Sequence, residues 1–320
     1  MSLVAETTLP SLISARSSRM PDGTFKWVAL GAALTIMVLI GLVGWELYHG
    51  AHLAIAKFGP HFLVSSRWDP VTDEYGALPF IFGTLVSSLI ALVIAVPLGV
   101  ATALFLTELA PFRIRQPIIM VIEMLAAVPS VIFGLWGIFI LIPWLRDHLF
   151  VWLKQTLGFL PLFQGPIYGV SMLAGGIIVA IMILPIITSI SREILRSVPQ
   201  LQREAAYALG ATRWEVIRLA VLNYARRGLF GASILGLGRA LGETMAVTML
   251  IGNRPEISAS LFAPGYTLAS VIANEFAEAT SDTYLSALFE LGLVLLLVTI
   301  AVNALAQLML RSMGGSGKVN

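Results

Sequence analysis

Six stretches of this 320-residue chain are long and apolar enough to cross a bilayer, and that leaves few folds open. They are Trp27–Tyr48, Pro79–Leu106, Ile118–Ile142, Val170–Ile190, Leu229–Ile251 and Tyr284–Leu310. A bilayer-crossing helix needs about 20 predominantly apolar residues. Inside lipid each backbone N–H and C=O must be satisfied by the segment itself, which makes these stretches helices. Composition agrees, because 12% of residues are charged while 58% are hydrophobic. That is about half the charge of a soluble domain, too little to coat a globule of this size. The expected fold class is an all-α integral membrane protein with about six transmembrane helices. Pro97, Pro129 and Pro185 fall inside spans, where neighbouring helices can satisfy the freed carbonyls.

Lys and Arg set the orientation. Of the 20, the N-terminal tail 1–26, loop 107–117, loop 191–228 and the tail 311–320 together carry 14. Loops 49–78, 143–169 and 252–283 carry 5, and Arg239 lies within a span. The positive-inside rule therefore places both termini in the cytoplasm. The long polar tail before residue 27, with no small-residue cleavage site after the first span, reads as preceding a retained helix 27–48. In the outer loop 143–169, Leu145, Leu149, Trp152, Leu153, Leu157 and Leu160 recur at helical spacing. A helix over Trp144–Leu160 lying on the outer membrane surface is expected, with a loop folded onto the protein as the alternative. The chain has no cysteine, which excludes disulfides and thiolate metal sites. His49, His52, His61 and His148 fall outside the apolar runs and read as polar loop residues.

Four ionisable residues lie well inside spans: Glu123, Arg239, Glu243 and Glu290. A lone charge at the bilayer centre costs at least ~2.5–3.5 kcal/mol, so each needs a partner or water. Arg239 and Glu243 are spaced i, i+4, which on a continuous helix gives one shared face. Gly238 and Gly242 beside them would admit a neighbouring helix closely. The pair is either a polar patch on a substrate path or an ion pair that joins helices. Glu123 and Glu290 read as interhelical hydrogen-bond formers.

The inner loop 191–228 contains Pro199, then Glu204-Ala-Ala-Tyr-Ala-Leu-Gly210. This pattern suggests a short helix that starts near Pro199 and is closed by a glycine with φ > 0. It resembles the loop of ABC-importer permeases whose pattern is E-A-A, three residues, G, nine residues, then I-x-L-P. Glu204, Ala205, Ala206, Gly210 and Leu222 match, while Ala220 stands where Ile is usual and Asn223 where Pro is usual. Four further segments resemble the permease subunits of phosphate importers. They are Gly236-Leu-Gly-Arg-Ala-Leu-Gly-Glu-Thr-Met-Ala-Val247, Glu123-Met-Leu-Ala-Ala-Val-Pro-Ser-Val-Ile-Phe-Gly-Leu-Trp-Gly137, Gly83-Thr-Leu85 and Arg213-Trp-Glu-Val-Ile-Arg218. The likeness runs from about residue 79 to 310, the expected permease core.

The resemblance implies a type I ABC importer permease of MetI-like architecture, multi-pass in a bacterial cytoplasmic (inner) membrane. It implies a homologous second permease, an ATP-binding-cassette ATPase dimer and an extracytoplasmic phosphate-binding protein as partners. Glu204, Ala205, Ala206 and Gly210 would belong to a coupling helix that docks on the ATPase. Arg239 and Glu243 would line the phosphate passage with the second permease, the glutamate neutralising the arginine between ions. No cofactor is expected on this chain, and it is expected to be non-catalytic. Its one Gly/Lys-rich run, Gly314-Gly-Ser-Gly-Lys318, lacks the spacing and the strand–helix context of a P-loop. ATP with Mg would belong to the ATPase. Membrane lipid is an expected contact and nucleic acid is not. A permease for sulfate, molybdate or another oxyanion is an alternative. A secondary transporter would not need the docking loop. A membrane enzyme would need a cluster of nucleophile, base or metal ligands within the spans, and the sequence offers none.

Overall fold

The computed structural model describes residues 22–312 and is built from helices, with no strand longer than an isolated bridge among them. Residues 1–21 of the expected tail 1–26 and 313–320 of the expected tail 311–320, including the Gly314–Lys318 run, lie outside the described residues, while 22–26 and 311–312 are helical. The structure divides into two compact units at Leu47. The first, up to Glu46, holds most of helix α1 (Asp22–Gly50), which carries no charged residue between Lys26 and Glu46. The second unit begins with the short helices α2 (His52–Phe58) and α3 (His61–Val64). There follow α4 (Leu78–Leu109), α5 (Phe112–Ala126), α6 (Ser130–Leu157) and α7 (Met172–Arg196). After them come α8 (Gln200–Ala208), α9 (213–241), α10 (Met245–Leu250), α11 (Leu268–Glu275) and α12 (Asp282–Ser312).

Among the described residues, five helices are both long and apolar enough to cross a membrane: α1 from Thr24, α4, α6, α7 and α12. The expected fifth span, Leu229–Ile251, is divided. Helix α9 ends at Leu241, Gly242–Thr244 form a break, and α10 is one and a half turns long. At about 1.5 Å per residue α9 is still ~43 Å long, enough to span. Its charges, from Arg213 through Arg226 and Arg227 to Arg239, keep it below the apolarity of the others.

The expected third span, Ile118–Ile142, is also divided. Helix α5 stops at Ala126 and α6 starts at Ser130, directly after Pro129. Proline has no N–H to donate and pushes the residue before it out of the helical region. The expected surface helix over Trp144–Leu160 is the second half of α6, which runs unbroken from Ser130 to Leu157. Two π-turns, Gly137–Leu141 and Leu145–Leu149, flank Pro143 and absorb it without ending the helix. The apolar face that predicted a membrane-surface helix faces protein instead. Leu145 and Phe150 are buried, and Leu149 and Leu153 pack on the main core.

The core is organised around α4 and α7, which lie along each other through small residues. Ala91, Ala95, Gly99 and Ala103 of α4 are buried. A Cβ on Gly99 would come within 2.9 Å of Ile187, and one on Gly176 within 2.5 Å of Ile90. Gly236 brings α9 equally close, since a Cβ there would lie 2.8 Å from Ile187. Without a hydrophobic drive between helices in lipid, such close backbone approach is what holds them together. A second cluster covers the opposite end of α4. There Tyr75 stacks on Tyr284 at 5.4 Å, and Trp68 meets both Tyr75 and Phe80 edge-on. Glu275 accepts hydrogen bonds from Trp68 Nε1 (2.8 Å) and Tyr284 OH (2.7 Å), which fixes the α11 end to this cluster.

Candidate functional site

Two groups of residues carry candidate chemistry: the α8 segment, and the charges at the end of α9. Pro199 stands immediately before α8, where its fixed φ suits a helix start. Gly210 closes the turn after the helix with φ +81° and donates its N–H to Tyr207 O at 2.9 Å. These features agree with the helix and glycine turn expected from the sequence. No heavy atom lies within 4 Å of where a Cβ on Gly210 would sit, so the glycine is required there by conformation and not by crowding. Glu204 and Ala205 are exposed, and Ala206 is half-buried. Around them Leu201, Tyr207, Leu209 and Trp214 are also exposed, Leu209 by 88%. An apolar patch of this kind, with charge beside it, suits a protein partner.

Sequence spacing did not reveal how α8 is anchored. Arg203, the residue before Glu204, turns back towards the membrane helices. It donates to Val198 O (2.5 Å) and Leu195 O (2.9 Å), two carbonyls at the end of α7. It also bonds the Glu108 carboxylate at 2.9 Å, at the inner end of α4. Both side chains of this ion pair are at least four-fifths buried. Arg213, at the start of α9, donates to Glu108 O. Arg115 of α5 caps Thr107 O and Ala110 O. The 107–110 corner is therefore held by three arginines, and α8 is tied to α4, α7 and α9 together. The partners are 95 residues apart in sequence, so no local pattern signals the contact. The start of α9 is fixed separately by a capping box, in which Thr212 N–H donates to Glu215 Oε2 (2.7 Å) and Glu215 N–H to Thr212 Oγ1 (3.4 Å). These bonds hold the Glu215 carboxyl below the usual glutamate range, the backbone bond from Thr212 contributing most.

At the other end of α9 the geometry departs from the expected shared face. The helix ends two residues before Glu243, so Arg239 and Glu243 do not sit on one continuous helix. Neither belongs to any of the ion pairs among the described residues. Glu243 is buried in the break between α9 and α10, immediately before Thr244, which precedes α10. Arg239 is exposed. Gly238 and Gly242 are not used for close approach to any described helix, the nearest foreign atom being Asn303 Oδ1 at 4.0 Å from a Gly238 Cβ. Glu123 meets the interhelical expectation through Arg192 of α7, at 3.5 Å. Glu290 is buried in α12, and its Oε2 finds no hydrogen-bond partner among the described residues.

The model of the family described as "Binding-protein-dependent transport system inner membrane component" matches residues 95–315. This chain belongs to that family. The permease is also similar over nearly its full length to curated relatives. "Phosphate transport system permease protein PstC" of Mesorhizobium japonicum is 46% identical over 319 residues, 97% of each chain. The protein of the same name in Haemophilus influenzae is 45% identical, covering 91% of this chain and 94% of its own. A "Probable phosphate transport system permease protein PstC" of Methanocaldococcus jannaschii is 37% identical over 87% of this chain and 90% of its own. Among solved structures, an inward-facing MetNI methionine ABC transporter chain aligns over 74% of this chain and 94% of its own, with TM-score 0.50 and 16% identity. That likeness shows the type I permease fold alone. The permease is a multi-pass inner-membrane component.

Proposed function

We propose that this permease is the transmembrane subunit of an ATP-driven importer that moves inorganic phosphate across the cytoplasmic membrane. The end-to-end likeness to phosphate permeases, 46% over 97% of the chain, is the observation that carries this reading. The geometry supports the coupling half of it. Helix α8 projects Glu204, Ala205 and Ala206 outward beside an exposed apolar patch, and Gly210 fixes the turn that follows. An ATP-binding-cassette ATPase dimer docked there would supply ATP with Mg from its own chains. A homologous second permease would complete the passage, and an extracytoplasmic phosphate-binding protein would deliver the ion to the opposite face. Both termini then face the cytoplasm.

Within the passage, Arg239 is the residue that meets phosphate and Glu243 supports it. An arginine presents a planar fork of donors matched to phosphate oxygens. The exposed guanidinium of Arg239 belongs to none of the ion pairs among the described residues, and it would meet an anion or the second permease. Glu243, buried in the break between α9 and α10, would offset the charge of that arginine between ions. The test is uptake of radiolabelled phosphate in cells lacking the native permease, with sulfate and molybdate as competitors. The wild-type chain restores uptake, and excess sulfate leaves it unchanged. Arg239→Leu lowers uptake most, Arg239→Lys less because the charge stays while the fork is lost, and Glu243→Gln least. Wild-type uptake by Arg239→Leu, with normal protein level and ATPase association, moves the passage elsewhere. Competition by sulfate or molybdate would move the substrate to the wider oxyanion class.

A further inference from the structure

We propose that this permease binds one anionic phospholipid of the inner leaflet in a slot between α4 and α9, with Arg226 holding the headgroup. The proposal takes the α8 side as cytoplasmic and is otherwise independent of the transported ion. Two grooves meet at Arg226. The first, about 570 Å³, runs between Val96, Pro97, Val100 and Ala101 of α4 and Leu222, Leu229 and Phe230 of α9. Apart from Arg226 and Ser233 its lining is apolar. Its floor is already closed by Ala103, Leu195, Val221 and Ala225, which are all buried, so it is a slot on the surface and not a gap in the core. The second groove, about 520 Å³, opens on the α8 side of the same arginine. Gln202, Asn223, Tyr224 and Arg227 line it beside Arg226, and among the described residues no acidic one does.

An apolar slot within the depth of a membrane helix, joined at one arginine to a basic polar groove, matches one kind of molecule. An acyl chain fits the first part and a phosphodiester the second. Arg226 is exposed and belongs to none of the ion pairs among the described residues, so its fork is available to phosphate oxygens. Basic pockets between transmembrane helices on the cytoplasmic side suit anionic headgroups, which the inner leaflet provides. A zwitterionic lipid brings the same phosphate together with an ammonium that Arg226 opposes. Free phosphate has no chain for the slot. Pro97 suits such a contact, because the N–H it lacks is one fewer polar group beside the acyl chain.

The test uses the full chain, alone and in its assembled complex, in phosphatidylcholine vesicles. Trace spin-labelled phosphatidylglycerol or spin-labelled phosphatidylcholine is added, and the motionally restricted fraction is read by electron paramagnetic resonance. The wild type is expected to favour the anionic lipid about fivefold, the scale of one basic residue at a membrane surface. Arg226→Gln brings the ratio towards one, Arg226→Lys retains most of it, and Ala101→Trp, which fills the slot and leaves the charge, also lowers it. A wild-type ratio of one, or an unchanged ratio in Arg226→Gln, overturns the site. So does a preference present in the isolated chain and lost in the complex, which would assign the groove to a protein neighbour. None of these outcomes depends on phosphate uptake, so a failed transport reading leaves the lipid measurement intact.

Discussion

Gly210 and Arg203 act on the same helix by different physics. Gly210 holds a left-handed backbone, φ +81°, with free space around it. A valine there meets no steric neighbour, so the whole penalty is conformational, of order 1–3 kcal/mol for a β-branched residue. Gly210→Val is expected to reach the membrane at normal level, lose ATPase association and stop uptake. Normal association and uptake in that variant would remove the α8 turn from the mechanism. Arg203 instead links α8 to Glu108, a charge-assisted bond of about 1.5–3 kcal/mol between two mostly buried side chains. Glu108→Gln and Arg203→Gln should each raise the ATP hydrolysed per phosphate moved, because α8 can then shift without moving α4. The exchange Glu108→Arg with Arg203→Glu is expected to recover only part of the coupling, since a glutamate at 203 cannot donate to Leu195 O and Val198 O. Equal ATP-to-phosphate ratios in wild type and both single variants would reduce the link to local packing.

Among the elements, the α4–α7 pair is where a small change should be felt most. A Cβ on Gly176 would lie 2.5 Å from Ile90 Cγ2, so Gly176→Ala overpacks the contact by about 1–3 kcal/mol. Thermal unfolding of the purified chain in detergent should show the loss, and Ile90→Ala should relieve part of it in the double variant. Strictly additive effects of the two substitutions would mean the side chains do not meet. The apolar runs behind these helices were legible in the sequence because length and hydropathy are local properties. The break at Pro129 was not, since Pro97 and Pro185 are also prolines within apolar runs and their helices continue. The difference is in the neighbours. Pro185 is buried, and Pro97 lies between the buried Ala95 and Gly99, whereas the segment before Pro129 exposes Met120, Val121 and Met124 by more than 60% each. Only one side of that helix is packed, through Ile119 on Leu106 and Glu123 on Arg192, so the missing hydrogen bond becomes a bend. For the same reason α6 extends through Trp144–Leu157, where periodicity alone gave an amphipathic face and not the surface it meets. At the site, Pro199 and Gly210 were readable from local chain chemistry. The Arg203–Glu108 link and the break that separates Glu243 from the helix of Arg239 depend on contacts or breaks that spacing does not encode.

For the whole molecule, the decisive question is which side of the membrane α8 faces, because docking and passage both depend on it. The distribution of Lys and Arg, 14 on one set of loops against 5 on the other, predicts that α8 and both termini lie in the cytoplasm. The division of two expected spans does not alter that count of crossings. Helices α5 and α6 together replace one span, and α9 with α10 replaces another. The chain therefore still returns to the same side before α8. The native sequence has no cysteine, so single cysteines report position without background. Ser66 lies exposed in the segment between α3 and α4, and Ser197 is exposed between α7 and α8. An impermeant thiol reagent, given to intact cells whose outer barrier has been opened, is expected to label Ser66→Cys and to spare Ser197→Cys. After the membrane is permeabilised both should react, which shows that the second thiol was present and shielded by the bilayer alone. Labelling of Ser197→Cys in intact cells would reverse the orientation and put α8 out of reach of any cytoplasmic ATPase. Labelling of both would mean that the chain crosses twice between residues 66 and 197 and not three times, and the α5–α6 pair would then have to be a re-entrant loop.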